Sequence, residues 1–485
     1  MIRTCAFAMF LFCSAINATA SAPSLALHEC RLQSATAGGV AAARCGVYLV
    51  RENRADPASK VLSIHVAVIP ALRLQPETDP LFILSGGPGQ AASDFYLSVA
   101  PAFARIRRDR DIVLVDQRGT GRSNRLDCDL PDDAGIAAVD VGSLQAAARD
   151  CIARLPGDPR YYTTSIAVRD LDDVRAALGY ESISIYGASY GTRVAQHYMR
   201  RYPQRVRAAI LDGVAPPGLA LGPDVAPAAQ RALDATFARC ASDKQCDRRF
   251  PDIARRFDEL RRRLRQDPVQ IPISDPLMAE STTAMLGESQ LSAATRLLSY
   301  TDETASLLPL LIHEAQVGER PQALAAQYLM IRRTMTEQIA QGMHFAVVCS
   351  EDAPRWPHDD DATLAATYMG ASFMQAMRAI CEVWPRGPVD SGFDEPLHTS
   401  TPALMLSGGA DPATPAQYAA RILPGFANAK HLVLAGQGHG QIATGCVPRV
   451  AAAFIAAGSV AELDDACVND VSPAPFMLSL TASAP

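Results

Sequence analysis

Gly187-Ala188-Ser189-Tyr190-Gly191 sets a serine between two glycines, directly after the apolar run Ile183 to Tyr186 and directly before a helix-forming stretch. A serine held on a tight strand-to-helix turn presents its hydroxyl. The N-terminus of the following helix favours the negative charge that develops when such an oxygen attacks a carbonyl. The pentapeptide alone is weak evidence: with Gly and Ser each near 7% of residues, a chain of this length carries one by chance about one time in six. The strand before it and the helix after it supply the specificity.

A serine hydroxyl needs a base. Gly436-Gln437-Gly438-His439-Gly440 follows the strand-like run His431 to Leu434. That puts His439 on a loop past a strand's carboxyl end, where ligands and catalytic groups gather in open α/β sheets. The other histidines lack the setting: His65 and His431 fall in strand patterns, His197 and His313 in helical ones, and His28, His344, His358 and His398 carry no such signal. Asp411, in Asp411-Pro412-Ala413-Thr414-Pro415 just after Ala403 to Leu406, is the group to hold the imidazole in its productive tautomer. Its competing role is helix capping ahead of Pro415. Acyl transfer also needs donors for a tetrahedral oxyanion. Ser85-Gly86-Gly87-Pro88-Gly89 follows Leu81 to Leu84, and its glycines admit close backbone approach. The backbone amides of Gly87 and Tyr190 are the expected oxyanion hole, with Gly86 in reserve. This chemistry calls for no cofactor, and no C-x-x-C or H-E-x-x-H spacing points to a metal.

The elements that must position these groups are legible as a rhythm. Val61 to Pro70 alternates and is rich in β-branched residues, the pattern of a strand. Leu81 to Leu84, Ile112 to Val115, Ile183 to Tyr186, Ala209 to Leu211, Ala403 to Leu406 and His431 to Leu434 are short apolar runs of the kind buried on both faces of a parallel sheet. Helix-forming stretches such as Val168 to Leu178 and Thr192 to Arg201 lie between them. The alternation predicts a doubly wound, mostly parallel α/β sheet. After Pro217 the rhythm stops, and it resumes at Pro402. The intervening residues are amphipathic and helix-forming, notably Ile253 to Arg265 and Pro321 to Ile339. The predicted organisation is therefore core over 23–225, a helical cap insertion over 226–395, and core again over 396–485 with a cysteine-containing C-terminal segment. The arginines of 261–265 read as a solvated helix face.

The chain opens with Met1-Ile2-Arg3, an apolar stretch from Cys5 to Ile16, and small residues at Ala18-Thr19-Ala20 and Ala20-Ser21-Ala22. That order predicts a signal peptide over 1–22 and export to the periplasm or beyond. No later stretch is apolar for long enough to insert stably in a membrane. The formal net charge is -6, with Lys and Arg interspersed among acids, which argues against nucleic acid as a partner. Of twelve cysteines, setting aside Cys5 and Cys13 leaves an even number, as suits an oxidising compartment. Pairing between neighbours is the working hypothesis: Cys30 with Cys45, Cys128 with Cys151, Cys240 with Cys246, Cys349 with Cys381, and Cys446 with Cys467.

Together the motifs resemble the prolyl iminopeptidase and tripeptidyl aminopeptidase branch of the α/β-hydrolases. The resemblance runs through GGPG at 86–89, VDQRGTGRS at 115–123, DLDDVRAALG at 170–179, YGASYGTRVAQHY at 186–198, RYPQRVRAAILDGVAPP at 201–217, DPATP at 411–415 and GQGHG at 436–440. The order Ser189, Asp411, His439 is also the order this fold uses. Prolyl iminopeptidases carry a histidine before GGPG where this chain has Ser85, so the exported tripeptidyl aminopeptidase-like members are the better match. The resemblance implies a serine exopeptidase acting on peptides with a free N-terminus. It also implies carboxylates that recognise the α-amino group, for which Glu351 and Asp352, in Cys349-Ser350-Glu351-Asp352, are the candidates; helix termination and a salt bridge compete equally. Asp116 and Arg118 are expected to fix a loop, and Trp356 and Trp384 to pack in the core or line the pocket. An esterase of small acyl substrates and a non-catalytic binding module of the same fold are the alternatives.

Overall fold

The computed structural model of the chain describes residues 25–34, 39–128, 140–275, 280–358 and 361–480; the predicted signal peptide lies outside them. Eleven strands are present among these residues: β1 (His28–Gln33), β2 (Val40–Arg51), β3 (Val61–Ile69), β4 (Leu81–Leu84), β5 (Ile112–Val115), β6 (Ile183–Ala188), β7 (Val206–Asp212), β8 (Val269–Ser274), β9 (Ser281–Leu286), β10 (Ala403–Gly408) and β11 (Ala429–Leu434). Nine form one sheet in the order β1-β2-β3-β5-β4-β6-β7-β10-β11. From β5 to β11 neighbouring strands run parallel, while β1, β2 and β3 form an antiparallel extension that joins at β5.

Alternate residues of the short parallel strands enter separate apolar cores. Phe82, Leu84, Val113 and Val115 pack on one face of the sheet; Leu81, Ile83, Ile112 and Leu114 pack on the other. Helices cover both faces, which is why these strands are continuously apolar rather than alternating.

Between β7 and β10 the chain leaves the sheet. It builds helices that include Val225–Ser242, Ile253–Gln266, Glu288–Leu298, Gln322–Gln338, Gln341–Glu351 and Ser372–Val383. The insertion has its own apolar core around Phe237, Phe257, Leu260, Leu291 and Leu308. It departs from the helical insertion predicted from the sequence, because β8 and β9 pair into an antiparallel hairpin. Ile271 and Ile273 alternate with exposed neighbours and meet Ala284 and Leu286, so a two-residue period buries one face against the helices. The insertion touches the glycine-rich loop after β4, where Gln90 bridges to Ile339 and the amide of Ala340 donates to the carbonyl of Gly89 at 3.0 Å.

All five cysteine pairs are disulfide-bonded as hypothesised: Cys30–Cys45, Cys128–Cys151, Cys240–Cys246, Cys349–Cys381 and Cys446–Cys467. Among the described residues no helix is long and apolar enough to cross a membrane.

Candidate active site

β6 ends in the serine turn. Ser189 sits at φ 54° and ψ -122°, immediately before the helix Tyr190–Arg201. A positive φ in a residue with a side chain is strained by about 1–3 kcal/mol, a cost that surrounding contacts must sustain. The flanking glycines explain how the turn closes: a Cβ on Gly187 would come within 2.6 Å of the Gly191 carbonyl oxygen, and one on Gly191 within 2.2 Å of that of Leu84. The amide of Ser189 donates to the Asp212 carbonyl at 2.8 Å, tying the turn to β7.

Asp411 and His439 follow the carboxyl ends of β10 and β11. His439 Nδ1 lies 2.8 Å from Asp411 Oδ2. The other carboxylate oxygen accepts from the amides of Ala413 and Thr414, at 2.7 and 2.8 Å, so capping and imidazole contact are divided between the two oxygens. Burial raises the Asp411 carboxyl, but the His439 charge and these hydrogen bonds outweigh it and hold the group below the usual range. For His439, burial opposes protonation, yet the Asp411 carboxylate more than offsets it and the imidazole is raised above its ordinary value. Ser189, His439, Gly86 and Gly87 all border one cavity of about 850 Å³. Gly86 packs against the serine, since a Cβ there would fall 3.0 Å from Ser189 Cβ. Among the described residues neither the Gly87 nor the Tyr190 amide donates to a protein acceptor. Both are therefore free to donate to a bound oxygen.

The structure separates Glu351 and Asp352 from this cavity. Neither borders it, and both are buried. Asp352 accepts from Arg193 Nη1 with both oxygens, at 2.9 and 3.1 Å, and from the Leu221 amide at 2.9 Å. An incoming ammonium would have to displace Arg193, so the expected anchor role of Asp352 is corrected to a buried ion pair. Glu351 accepts from the amide and hydroxyl of Thr164 at 2.6 and 2.9 Å, and that hydroxyl lies 2.6 Å from Tyr190 Oη. Its reach is toward the residue after the serine, not toward the cavity.

Burial, with Asp352 alongside, pushes the Glu351 carboxyl up to about 7, against the pull of Arg193 and Thr164. A folded-state value above the unfolded 4.5 means a contribution that is fully present below 4.5 and lost as pH rises toward 7. Glu351→Gln should therefore weaken the decline of melting temperature between pH 4.5 and 7. Parallel wild-type and variant curves would contradict this assignment.

The loop expected to be fixed by Asp116 and Arg118 is so fixed. Arg118 makes two hydrogen bonds to Asp170, at 2.6 and 2.9 Å, and reaches the carbonyls of Glu52 and Tyr161. Asp116 accepts from the amides of Ser93 and Arg122. Between them, Gln117 Nε2 donates to Tyr190 Oη at 3.2 Å. Trp356 and Trp384 pack in a core cluster with Phe345 and Met374 and do not border the cavity.

Three supporting residues were not singled out from the sequence. Thr414 Oγ1 donates to Asp411 Oδ2 at 3.0 Å and lies 3.1 Å from His439 Nδ1. Asp212, at the end of β7, accepts from the amides of Gln441 and Ile442 and from Tyr186 Oη, and so fixes the loop beyond His439. Its place in ILDG within 201–217 was its only sequence signal. Tyr300, from the insertion, accepts the His439 amide at 2.6 Å through its carbonyl and sets its ring edge-on to the imidazole.

Among relatives, the chain is similar to a protein named serine protease Hip1 from Mycobacterium tuberculosis, 30% identical over 192 residues, 36% of each chain. It is 29% identical over 191 residues to a tripeptidyl aminopeptidase from Streptomyces lividans, again 36% of each. A carboxylesterase B from Mycobacterium tuberculosis is 28% identical over 217 residues, 41% of each. The matched stretch thus spans well under half the length of these relatives. The family described as alpha/beta hydrolase fold, by contrast, matches residues 79–445, from the approach to β4 to just past His439, and the chain belongs to that family.

Proposed function

We propose that this protein is an exported serine exopeptidase that releases short peptides or amino acids from the free N-terminus of peptides through an acyl-enzyme. The observation that carries the chemistry is the Asp411–His439 bond at the wall of a cavity that Ser189 also borders. With its Nδ1 proton held toward Asp411, the imidazole presents Nε2 as the acceptor for the Ser189 proton. Ser189 Oγ attacks the scissile carbonyl, and the amides of Gly87 and Tyr190 receive the oxyanion. His439 then protonates the leaving amine, and water activated by the same imidazole releases the acyl group.

A peptide rather than a small ester is favoured by the room in the cavity and by the acids on its insertion side. Asp302 and Glu303 border it and offer carboxylates to an α-ammonium. The resemblance to a tripeptidyl aminopeptidase points the same way. Export is supported by the signal-like start and by five disulfides, which persist in oxidising compartments. The proposed division into core, 226–395 cap and core follows the departure from the sheet after β7 and the return at β10.

The esterase reading keeps a specific support, the similarity to a carboxylesterase, because the same machinery cleaves both bonds. A panel of aminoacyl and tripeptidyl arylamides with free or acetylated N-termini, run beside short-chain nitrophenyl esters, separates the two. Free-amine arylamides should be cleaved at least about tenfold faster than their acetylated forms, since an acetylated amine has no positive charge for the carboxylates of Asp302 and Glu303 to receive. Hydrolysis confined to the esters would overturn the peptidase reading.

A further inference from the structure

Beyond the helix Val447–Ala457 the chain comes back to the cavity of Ser189, where Cys467, Asp470, Val471 and Ser472 all border it. The Cys446–Cys467 disulfide ties the start of this segment to the end of the loop that carries His439. Val471 and Pro473 then close on the two shoulders of that loop. A Cβ on Gly445 would fall 2.8 Å from Val471 Cγ2, and one on Gly436 2.9 Å from Pro473 Cγ. From Val471 to Ser479 the chain forms neither helix nor strand. Pro473 and Pro475 stiffen it all the same, since each locks its φ and has no N–H that needs a partner.

Past Pro473 the segment crosses to the insertion and is held there at several points. The amide of Ala474 donates to Asp302 Oδ2 at 2.6 Å, and its carbonyl accepts from Arg239 Nη1 at 2.8 Å. Phe476 is buried in the insertion's apolar core, with the Arg239 guanidinium 3.8 Å from its ring centroid. The amide of Met477 donates to the Ser306 carbonyl, and Arg249 Nε donates to the carbonyl of Leu478, each at 3.3 Å. The segment is thus a strap, fixed to the sheet domain by a disulfide and to the insertion by a buried aromatic ring, with its middle exposed along the cavity.

We propose that residues 470–473 are the wall that sets how many substrate residues fit on the acyl side of Ser189, and that Phe476 is the anchor that holds this wall in place. The role deepens the exopeptidase reading and rests on it. Asp302, one of the two acids offered to the α-ammonium, is bonded directly to Ala474. A chain whose ammonium sits at Asp302 has the strap where any further residue would have to go. Product length then follows from the distance between Ser189 and the strap.

The test compares kcat/KM over a ladder of free-amine peptidyl arylamides carrying one to five residues. The wild type should show a sharp limit, with kcat/KM falling at least about tenfold at the first peptide too long for the cavity. Ser472→Trp adds bulk at an exposed residue that borders the cavity, and should move the limit to a shorter peptide. Phe476→Ala frees the strap from the insertion, and should raise kcat/KM at the first excluded length at least about fivefold relative to the shortest substrate. Both effects are ratios between lengths, because a strap that merely supported the His439 loop would change every length alike. Ratios unchanged in Ser472→Trp would overturn the proposal even if Phe476→Ala failed to fold. So would a wild type with no length limit. The exopeptidase reading fails separately, through a wild type that cleaves only nitrophenyl esters. The strap is then judged on esters from acetyl to decanoyl, where the same shifts are expected and an unshifted profile overturns its role.

Discussion

Ser189→Ala should lower kcat by about 10⁴-fold or more on every substrate the protein cleaves, since removing a serine nucleophile from such a unit leaves only what the oxyanion donors and binding supply. Stability should barely move. Alanine at 189 keeps the φ of 54° and the amide bond to the Asp212 carbonyl, so the strain of the turn persists and no packed atom beyond one hydroxyl is lost. Turnover at saturating substrate and melting temperature are the two readouts. Labelling with a fluorophosphonate adds a third: one adduct on the wild-type chain, none on the variant. A variant that retained a tenth of wild-type turnover would remove Ser189 from the chemistry. A fold that binds without cleaving would show itself in the wild type, by failing to label at all.

The parts of this site that follow strand ends were open to reading because they obey local rules. A run of four apolar residues buried on both faces cannot alternate, and the turn after it must bend sharply enough to need Gly187 and Gly191. Hence β4, β5, β6, β10 and β11, the glycine loop, Asp411 and His439 could all be placed from spacing. What escaped depends on contacts distant in sequence. Asp212 is one more acid after an apolar strand until Gln441 and Ile442, far along the chain, donate their amides to it. Glu351 and Asp352 looked like a pair with one task, but a helix turn sends one to Thr164 and the other to Arg193. β1 and β2 were not predicted because β2 carries Arg44 and Arg51 and leaves Val47 and Leu49 exposed, which blurs a two-residue pattern. The β8–β9 hairpin was overlooked for a related reason: a few apolar residues within a long amphipathic stretch do not outweigh the helical period around them.

Asp411→Asn should cost about as much as losing the serine, roughly 10⁴-fold in kcat, through an error of tautomer rather than of position. The Oδ1 atom of Asp411 accepts from the amides of Ala413 and Thr414, and those two donors will keep an oxygen at that place in the variant. The asparagine NH₂ must then occupy the position of Oδ2, 2.8 Å from His439 Nδ1. A donor there makes Nδ1 the acceptor and moves the ring proton to Nε2, where it blocks removal of the Ser189 proton. The residual activity should also change its pH profile. In the wild type, burial and the Arg296 charge lower His439 while the carboxylates of Asp411 and Asp212 raise it above 6.5. Without the Asp411 charge, burial weighs more, so the acid limb of kcat/KM should move to lower pH even as the plateau falls. Capping and catalysis are separable by the same variant. The amide bonds to Oδ1 survive, so the melting temperature should hold. If activity held as well, or if stability and activity fell together, Asp411 would be a capping residue that merely lies beside the imidazole.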